Sequence, residues 1–307
     1  MMLSQEEIKK RLQEAIHRTK SNQGEIATYI PELATVDPDN FGMALIRVNG
    51  EEYIFGDETI RFSMQSISKV ISLILALMDQ GLEKVYEKVG TEPTKYEFNS
   101  LIPIDDRASN PMINAGAITT SSLIAGNSSE EQFDRILRFV RILSHSDKVR
   151  LMEKVYQSEL KTTDRNRAIA YYLRSKGIFT EEAEEVLDLY VKNCSIGVNI
   201  RELATIAAIL ANRGRDLKTG KELIPREIVK IAIAQMASCG MYEDSGRYLM
   251  EVGLPAKSGV SGAIMAIAPG KCGICTYSPR LDSSGNSVRG IKILKEISKT
   301  LDINIFL

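Results

Sequence analysis

Ser66 stands three residues before Lys69, and the run Val70-Ile71-Ser72-Leu73-Ile74-Leu75-Ala76-Leu77-Met78 follows at once. A run so apolar has to be interior, so any fold of this chain must wrap a buried helix whose first turn carries a hydroxyl and an amine. Helical spacing puts the two side chains on one face. At the mouth of an apolar helix the lysine is partly desolvated, which disfavours its charged form and lets the neutral amine take a proton from the serine. Ser66 is therefore a candidate nucleophile. The unpaired N–H groups and positive dipole end of the helix would stabilise an oxyanion on an attacked carbonyl, the arrangement acyl transfer needs. The same S-x-x-K spacing recurs at Ser158 to Lys161 with no apolar helix behind it, so spacing alone does not decide.

Around this element the chain alternates between two periodicities. Ser4-Gln5-Glu6-Glu7 reads as a capping box before an amphipathic first helix carrying Ile8, Leu12, Ala15 and Ile16. Pro31 pushes Ile30 towards an extended conformation and breaks the segment that carries Tyr29. Met43 to Val48 and Tyr53 to Phe55 flank Asn49-Gly50, the turn dipeptide of a tight hairpin. Pro103 to Ala117 reads as one long loop rich in Pro, Asn and Asp, of the kind that serves a site. Helical signals follow to about Ala237: Ser128 caps one stripe, Asn199 precedes another, and Pro225 opens a further helix at its first turn. Gly259 to Ala268 and Cys272 to Tyr277, joined through Pro269-Gly270, read as a second hairpin, and Val288 to Leu301 as a last amphipathic helix.

Neither hairpin is stable alone, whereas together they form one antiparallel sheet with one face protected by the first and last helices. The expected fold class is α+β, a sheet built from both chain ends with a mostly helical middle. The chain is expected to be one unit over 1–307, with a discontinuous sheet subdomain (1–62 plus 240–307), a helical subdomain (63–239) and a cleft between them. With 39 Lys+Arg against 40 Asp+Glu, the formal charge is -1 and neither nucleic acid nor an anionic membrane is the expected partner. No basic-then-apolar leader and no run long enough to span a bilayer are evident, so a cytoplasmic protein is expected. Four cysteines in 307 residues do not make a disulfide framework. Cys194 and Cys239 fall in segments reading as a buried helix end and a loop. Cys272-x-x-Cys275 lies on a strand, where residues three apart face opposite sides, and only His17 and His145 could add imidazoles; no metal site is expected.

Lys257-Ser258-Gly259 opens a glycine-punctuated strand whose small residues would let a ligand approach the backbone. S-x-x-K on a buried helix with K-S-G on a late strand resembles the serine acyl-transferase fold of β-lactamases and DD-peptidases. Gln65-Ser66-x-x-Lys69, Asn110-Pro-Met-Ile-Asn114-Ala-Gly-Ala, Asp164-Arg-Asn166, Ser238-Cys-Gly-Met-Tyr242 and Leu254-Pro-Ala-Lys257-Ser-Gly-Val260 bring the resemblance closer. In that order they are similar to the serine-dependent glutaminases, amidohydrolases that convert L-glutamine to L-glutamate and ammonia. The match runs from about Tyr29 to Asn286, and the ankyrin repeats of longer members have no counterpart in it.

The resemblance implies a catalytic set of Ser66, Lys69, Tyr242 and Lys257. Ser66 would attack the side-chain amide, Lys69 would take its proton, and Tyr242 would pass a proton to leaving ammonia, with lysine or tyrosine as the main base left open. The N–H groups of Ser66 and Val260 would form the oxyanion hole. Tyr29, Gln65, Asn114, Glu159, Asn166 and Tyr190 would surround the substrate. Their chemistry suits a zwitterion: a carboxylate near the ammonium, neutral donors near the carboxylate. Taken singly, Asn114 and Asn166 read better as helix caps, Glu159 as a solvated helix residue and Tyr29, Tyr190 and Tyr242 as half-buried core; only their joint match reverses that. No metal or organic cofactor is implied, and a homodimer or homotetramer is. The alternatives are another serine amidase or esterase of this fold, or a catalytically silent amino-acid-binding module. A β-lactamase reading lacks an S-D-N triad between the two lysine motifs.

Overall fold

A computed structural model describes residues 4–20 and 23–307. Helix α1 (Gln5–Arg18) leads to the hairpin β1 (Gly42–Arg47) and β2 (Glu52–Gly56), the short β3 (Phe62–Ser63) and α2 (Ser68–Lys88). The middle carries α3 (Asn114–Ser122), α4 (Ser129–Ser144), β4 (Arg150–Leu151), α5 (Glu153–Lys161), α6 (Asp164–Ser175), α7 (Ala183–Cys194), β5 (Ile196–Val198), α8 (Ile200–Ala211) and α9 (Arg226–Cys239). Then come α10 (Ser245–Val252), β6 (Ala256–Gly259), β7 (Ala263–Ala268), β8 (Cys272–Tyr277) and α11 (Val288–Thr300).

The two hairpins meet. Strands run in the order β2-β1-β8-β7-β6, all antiparallel, and β1 pairs with β8 so that Ala44 faces Cys275 and Leu45 faces Ile274. Alternation then sorts the side chains. Met43, Leu45, Ile264, Ala266 and Ile274 pack with Ile8 and Leu12 of α1 and Ile293, Leu294 and Ile297 of α11. Ala44, Ile46, Met265 and Cys275 pack on the other side with α8 and, through it, the helical middle. The expectation of one protected face is therefore too modest. Both faces are covered, because α8 is apolar on every side that meets the sheet, and strands buried on both faces read as near-continuous apolar runs. Gly273 permits this contact: a Cβ there would stand 2.1 Å from the Ala208 nitrogen. Cys272 and Cys275 lie on opposite faces of the sheet.

Four boundaries differ from the sequence reading. Gly259 to Ala268 is not one strand: β6 ends at Gly259, and the chain turns through Gly262, whose φ of 96° and closeness to the Ser278 carbonyl exclude a side chain. The long loop ends at Ile113, and Asn114-Ala-Gly-Ala opens α3. Gly116 lets α3 lie on the loop, since a Cβ there would sit 1.9 Å from the Asn110 carbonyl oxygen. Pro225 caps α9 from outside, and Cys239 is the last residue of that helix. The apolar part of α2 ends at a break at Gly81. The capping box read at Ser4 and Glu7 forms, and Asn199, read as preceding a helix, caps α8 in a second box with Glu202. No helix among the described residues is long and apolar enough to cross a membrane.

Candidate active site

Ser66 sits on a single 3-10 turn, Gln65–Ile67, between β3 and α2. It precedes the helix in which the spacing placed it, yet the turn runs directly into α2, and residues three apart lie on one side in either helical geometry, so Ser66 and Lys69 still share a side. Gln65 enters this turn with φ of 47°, a left-handed conformation that a bulky residue keeps only where its surroundings hold it. The restraints are polar. Gln65 Nε2 donates to Glu159 Oε2 at 3.1 Å and to Ser63 Oγ at 3.2 Å, while Ser68 Oγ donates to the Gln65 carbonyl at 2.8 Å. From the sheet side Gly259 closes on the turn, where a Cβ would stand 2.7 Å from the Met64 carbonyl oxygen, and Val260 is the next residue.

Lys69 is buried, with 1% of its surface exposed. Its Nζ donates to Asn114 Oδ1 at 2.6 Å and to the Met112 carbonyl at 3.2 Å. Burial lowers its pKa to about 8, opposed by Cys194 and Glu159. A protonated lysine can only donate, so the Asn114 oxygen faces it and the Asn114 amide points away. That amide, Nδ2, donates to Asn166 Oδ1 at 2.7 Å, and Asn166 Nδ2 donates to Thr163 Oγ1 at 3.0 Å. One chain of bonds therefore orients both asparagines. The loop before Asn114 is shaped by Asn110, whose Oδ1 accepts from the backbone N–H groups of Met112 and Ile113.

Glu159 comes from the last turn of α5 and is buried rather than solvated, 6% exposed. Burial pushes its pKa up to about 7, against the pull of the Gln65 hydrogen bond and of Lys69. Tyr242 also has positive φ, 55°. Its hydroxyl donates to the Ser258 carbonyl at 3.2 Å and meets the Ser66 side chain; burial raises its pKa and the Ser66 contact lowers it. Lys257 lies behind the tyrosine. Its Nζ donates to the carbonyls of Gly240 and Ser258 and sits 4.3 Å from the Tyr242 ring centre. Burial, and then Lys69, hold its pKa well below the usual lysine range.

A small cleft opens over Ser66. Tyr29, Gln65, Asn114, Glu159, Asn166 and Tyr190 line it together with Ser66. Tyr29 is half-exposed, and Tyr190 is buried in α7. Lys69, Tyr242 and Lys257 lie beneath or beside this cleft, and Val260 lines an adjoining one with Ser63 and Tyr277. The cleft also includes Phe98, Asn99, Thr162, Thr163, Arg165 and Cys194, which the sequence reading did not single out. Thr163 and Arg165 flank Asp164 and Asn166 in the motif, the one signal that could have found them. Phe98 belongs to the loop after α2 and packs its ring 4.8 Å from that of Tyr242. Among the described residues no cluster of His, Cys, Asp and Glu could hold a metal. The arrangement provides a buried hydroxyl in contact with a phenol and three residues before a buried lysine of lowered pKa, with a carboxylate lining the same cleft.

A family model described as Glutaminase matches residues 24–306. A glutaminase of Clostridium tetani (strain Massachusetts / E88) is 47% identical over 293 residues, covering 94% of this chain and 96% of that protein. One from Clostridium botulinum (strain Hall) is 45% identical, covering 93% and 95%. Among solved structures, a probable glutaminase ybaS superposes with a TM-score of 0.95 at 40% identity over 99% of both chains. A probable glutaminase from Bacillus subtilis, complexed with 6-diazo-5-oxo-L-norleucine, gives 0.88 at 35% identity over 100% and 99%.

Proposed function

This chain belongs to the glutaminase family, of β-lactamase-like fold, and on that premise we propose that it hydrolyses L-glutamine to L-glutamate and ammonia through a glutamyl ester of Ser66. The observation that supports the serine route is the company of one hydroxyl: Tyr242 in contact with Ser66, the buried Lys69 three residues on in the first turn of α2, and a cleft lined by both Ser66 and Glu159.

Lys69 is the base. With a pKa of about 8, roughly a tenth of it is neutral at pH 7. A neutral amine has two N–H groups, and two acceptors, Asn114 Oδ1 and the Met112 carbonyl, take them, which leaves the lone pair for the Ser66 proton. Ser66 Oγ then bonds to the amide carbon, and the negative charge on the carbonyl oxygen is taken by the N–H groups of Ser66 and Val260. Tyr242, kept protonated by burial, suits the acid that donates to the leaving nitrogen as the C–N bond breaks. The proton taken by Lys69 then returns Tyr242 to its phenol; water attacks the ester and gives a proton to the neutral Lys69, which passes it to Ser66 Oγ as the ester C–O bond breaks and glutamate leaves. Glu159 pairs with the substrate's ammonium, whose charge favours the ionised carboxylate, and Asn114, Asn166, Tyr29 and Tyr190 hold the α-amino and α-carboxylate ends.

Lys257 supports Tyr242 from behind. The resemblance further supports two subdomains, 1–62 with 240–307 and 63–239, and a cytoplasmic homodimer or homotetramer, checked by light scattering and cell fractionation. The serine route is tested by rapid acid quench with glutamine and mass spectrometry of the peptides. A glutamyl adduct on the Ser66 peptide is expected, and steady turnover with no adduct at any quench time, while Ser66→Ala stays active, would exclude it.

A further inference from the structure

We infer that Ser245 is a positioning residue for the reaction: its hydroxyl, bonded to the backbone at Met241 and Tyr242, holds Tyr242 in the left-handed conformation that brings its phenol to Ser66. This rests on the role proposed for Tyr242. A tyrosine at φ of 55° lies where Cβ crowds the backbone, and such a conformation persists only where neighbouring groups over-determine it.

Ser245 supplies that restraint. It is 4% exposed, and its Oγ accepts from the Met241 N–H at 3.0 Å while donating to the Tyr242 carbonyl at 2.7 Å. One hydroxyl thus uses its acceptor and its donor to span the strained residue. Other polar contacts meet the same turn: the Tyr242 hydroxyl on the Ser258 carbonyl at 3.2 Å, the Ser245 N–H on the Tyr242 carbonyl, the Asp244 N–H and Asn286 Nδ2 on the Met241 carbonyl at 3.2 and 3.5 Å, and Lys257 Nζ on the Gly240 carbonyl at 2.9 Å. The Ser245 hydroxyl is the side-chain group that ties the Met241 N–H to the Tyr242 carbonyl. A serine opening a helix is ordinarily explained by capping. Here Asp244 holds the cap position, and the Ser245 hydroxyl points back across the turn rather than to the N–H groups of α10.

Without the hydroxyl, Tyr242 can relax to negative φ, which swings its phenol away from Ser66. Displacement of a reacting group by about 1 Å costs up to roughly a hundredfold in rate, so Ser245→Ala is expected to lower kcat about ten- to a hundredfold with a smaller change in KM. The decisive measurement is a double-mutant cycle with Tyr242→Phe, following ammonia release and thermal melting in parallel. The expected result is a large kcat loss from Ser245→Ala in the parent, almost none in the Tyr242→Phe background, and a similar drop in Tm in both. Ser245→Cys, which keeps a weaker donor and acceptor, should show the same coupling with a smaller loss and serves if the alanine variant does not fold. An equal kcat loss in both backgrounds, or none in either, overturns the inference. Full activity of Tyr242→Phe alone overturns the role of Tyr242 and the inference with it, and so separates the two failures.

Discussion

Replacing Glu159 by glutamine should make the protein more stable above neutral pH while it loses activity. The carboxylate is buried and its pKa stands at about 7, raised first by desolvation. In the unfolded chain it reverts to about 4.3. Because the folded value is the higher one, Glu159 contributes stability that is fully present below the unfolded pKa and is lost as pH rises through about 7. Linkage puts that loss at about 2.5 kcal/mol between about pH 5 and about pH 8. A glutamine removes this titration yet keeps an oxygen for Gln65 Nε2, which now donates at 3.1 Å. Urea denaturation of parent and variant at the two pH values measures it: the stability difference should move by about 2 kcal/mol in favour of Glu159→Gln as pH rises. The same variant should lose about 1.5–3 kcal/mol of substrate binding, roughly 10- to 150-fold in kcat/KM, because an ionic partner of the ammonium is gone. Parallel stability curves would refute the buried titrating carboxylate, and undiminished kcat/KM would refute its contact with substrate.

Other outcomes follow from the same geometry. kcat/KM should rise with pH through about 7 and about 8, because Glu159 must be ionised and Lys69 neutral; a falling profile over that range would contradict both assignments. Asn114→Asp places a carboxylate where an amide oxygen lies 2.6 Å from Lys69 Nζ, so the alkaline limb should move up by about one pH unit or more. Lys69→Arg keeps the charge but cannot act as a base, and ammonia release should fall at least about a thousandfold in a protein with an unchanged circular dichroism spectrum. Gly116→Ala forces a Cβ towards the Asn110 carbonyl oxygen, 1.9 Å away, and should lower the unfolding free energy measured in urea by about 1–3 kcal/mol while disturbing Asn114 two residues earlier.

What sequence could reveal was local. The two hairpins are legible because Asn49-Gly50 and Pro269-Gly270 are turn chemistry between apolar runs, and the capping pairs because Ser4 and Asn199 each stand three residues before a glutamate. The pairing of β1 with β8 was reachable only by asking what could bury each hairpin. The break at Val260 to Gly262 was hidden, since the small apolar residues of a turn pressed against Pro279 look like those of a strand. Burial of Glu159 was hidden for another reason: its helix carries Glu153, Lys154 and Lys161 as well, and the residues that close over it are distant in sequence, the left-handed Gln65 that bonds it lying 94 positions away. Thr163 and Ser245 act through bonds to backbone and amide groups, which leave no periodicity to read.

The measurement that bears most directly on the serine route is ammonia release from L-glutamine and from L-asparagine by the purified protein, beside Ser66→Ala. Release from glutamine that disappears in a folded Ser66→Ala variant is the expected result. Release that survives the substitution, or none from either amide by the folded parent, would contradict it.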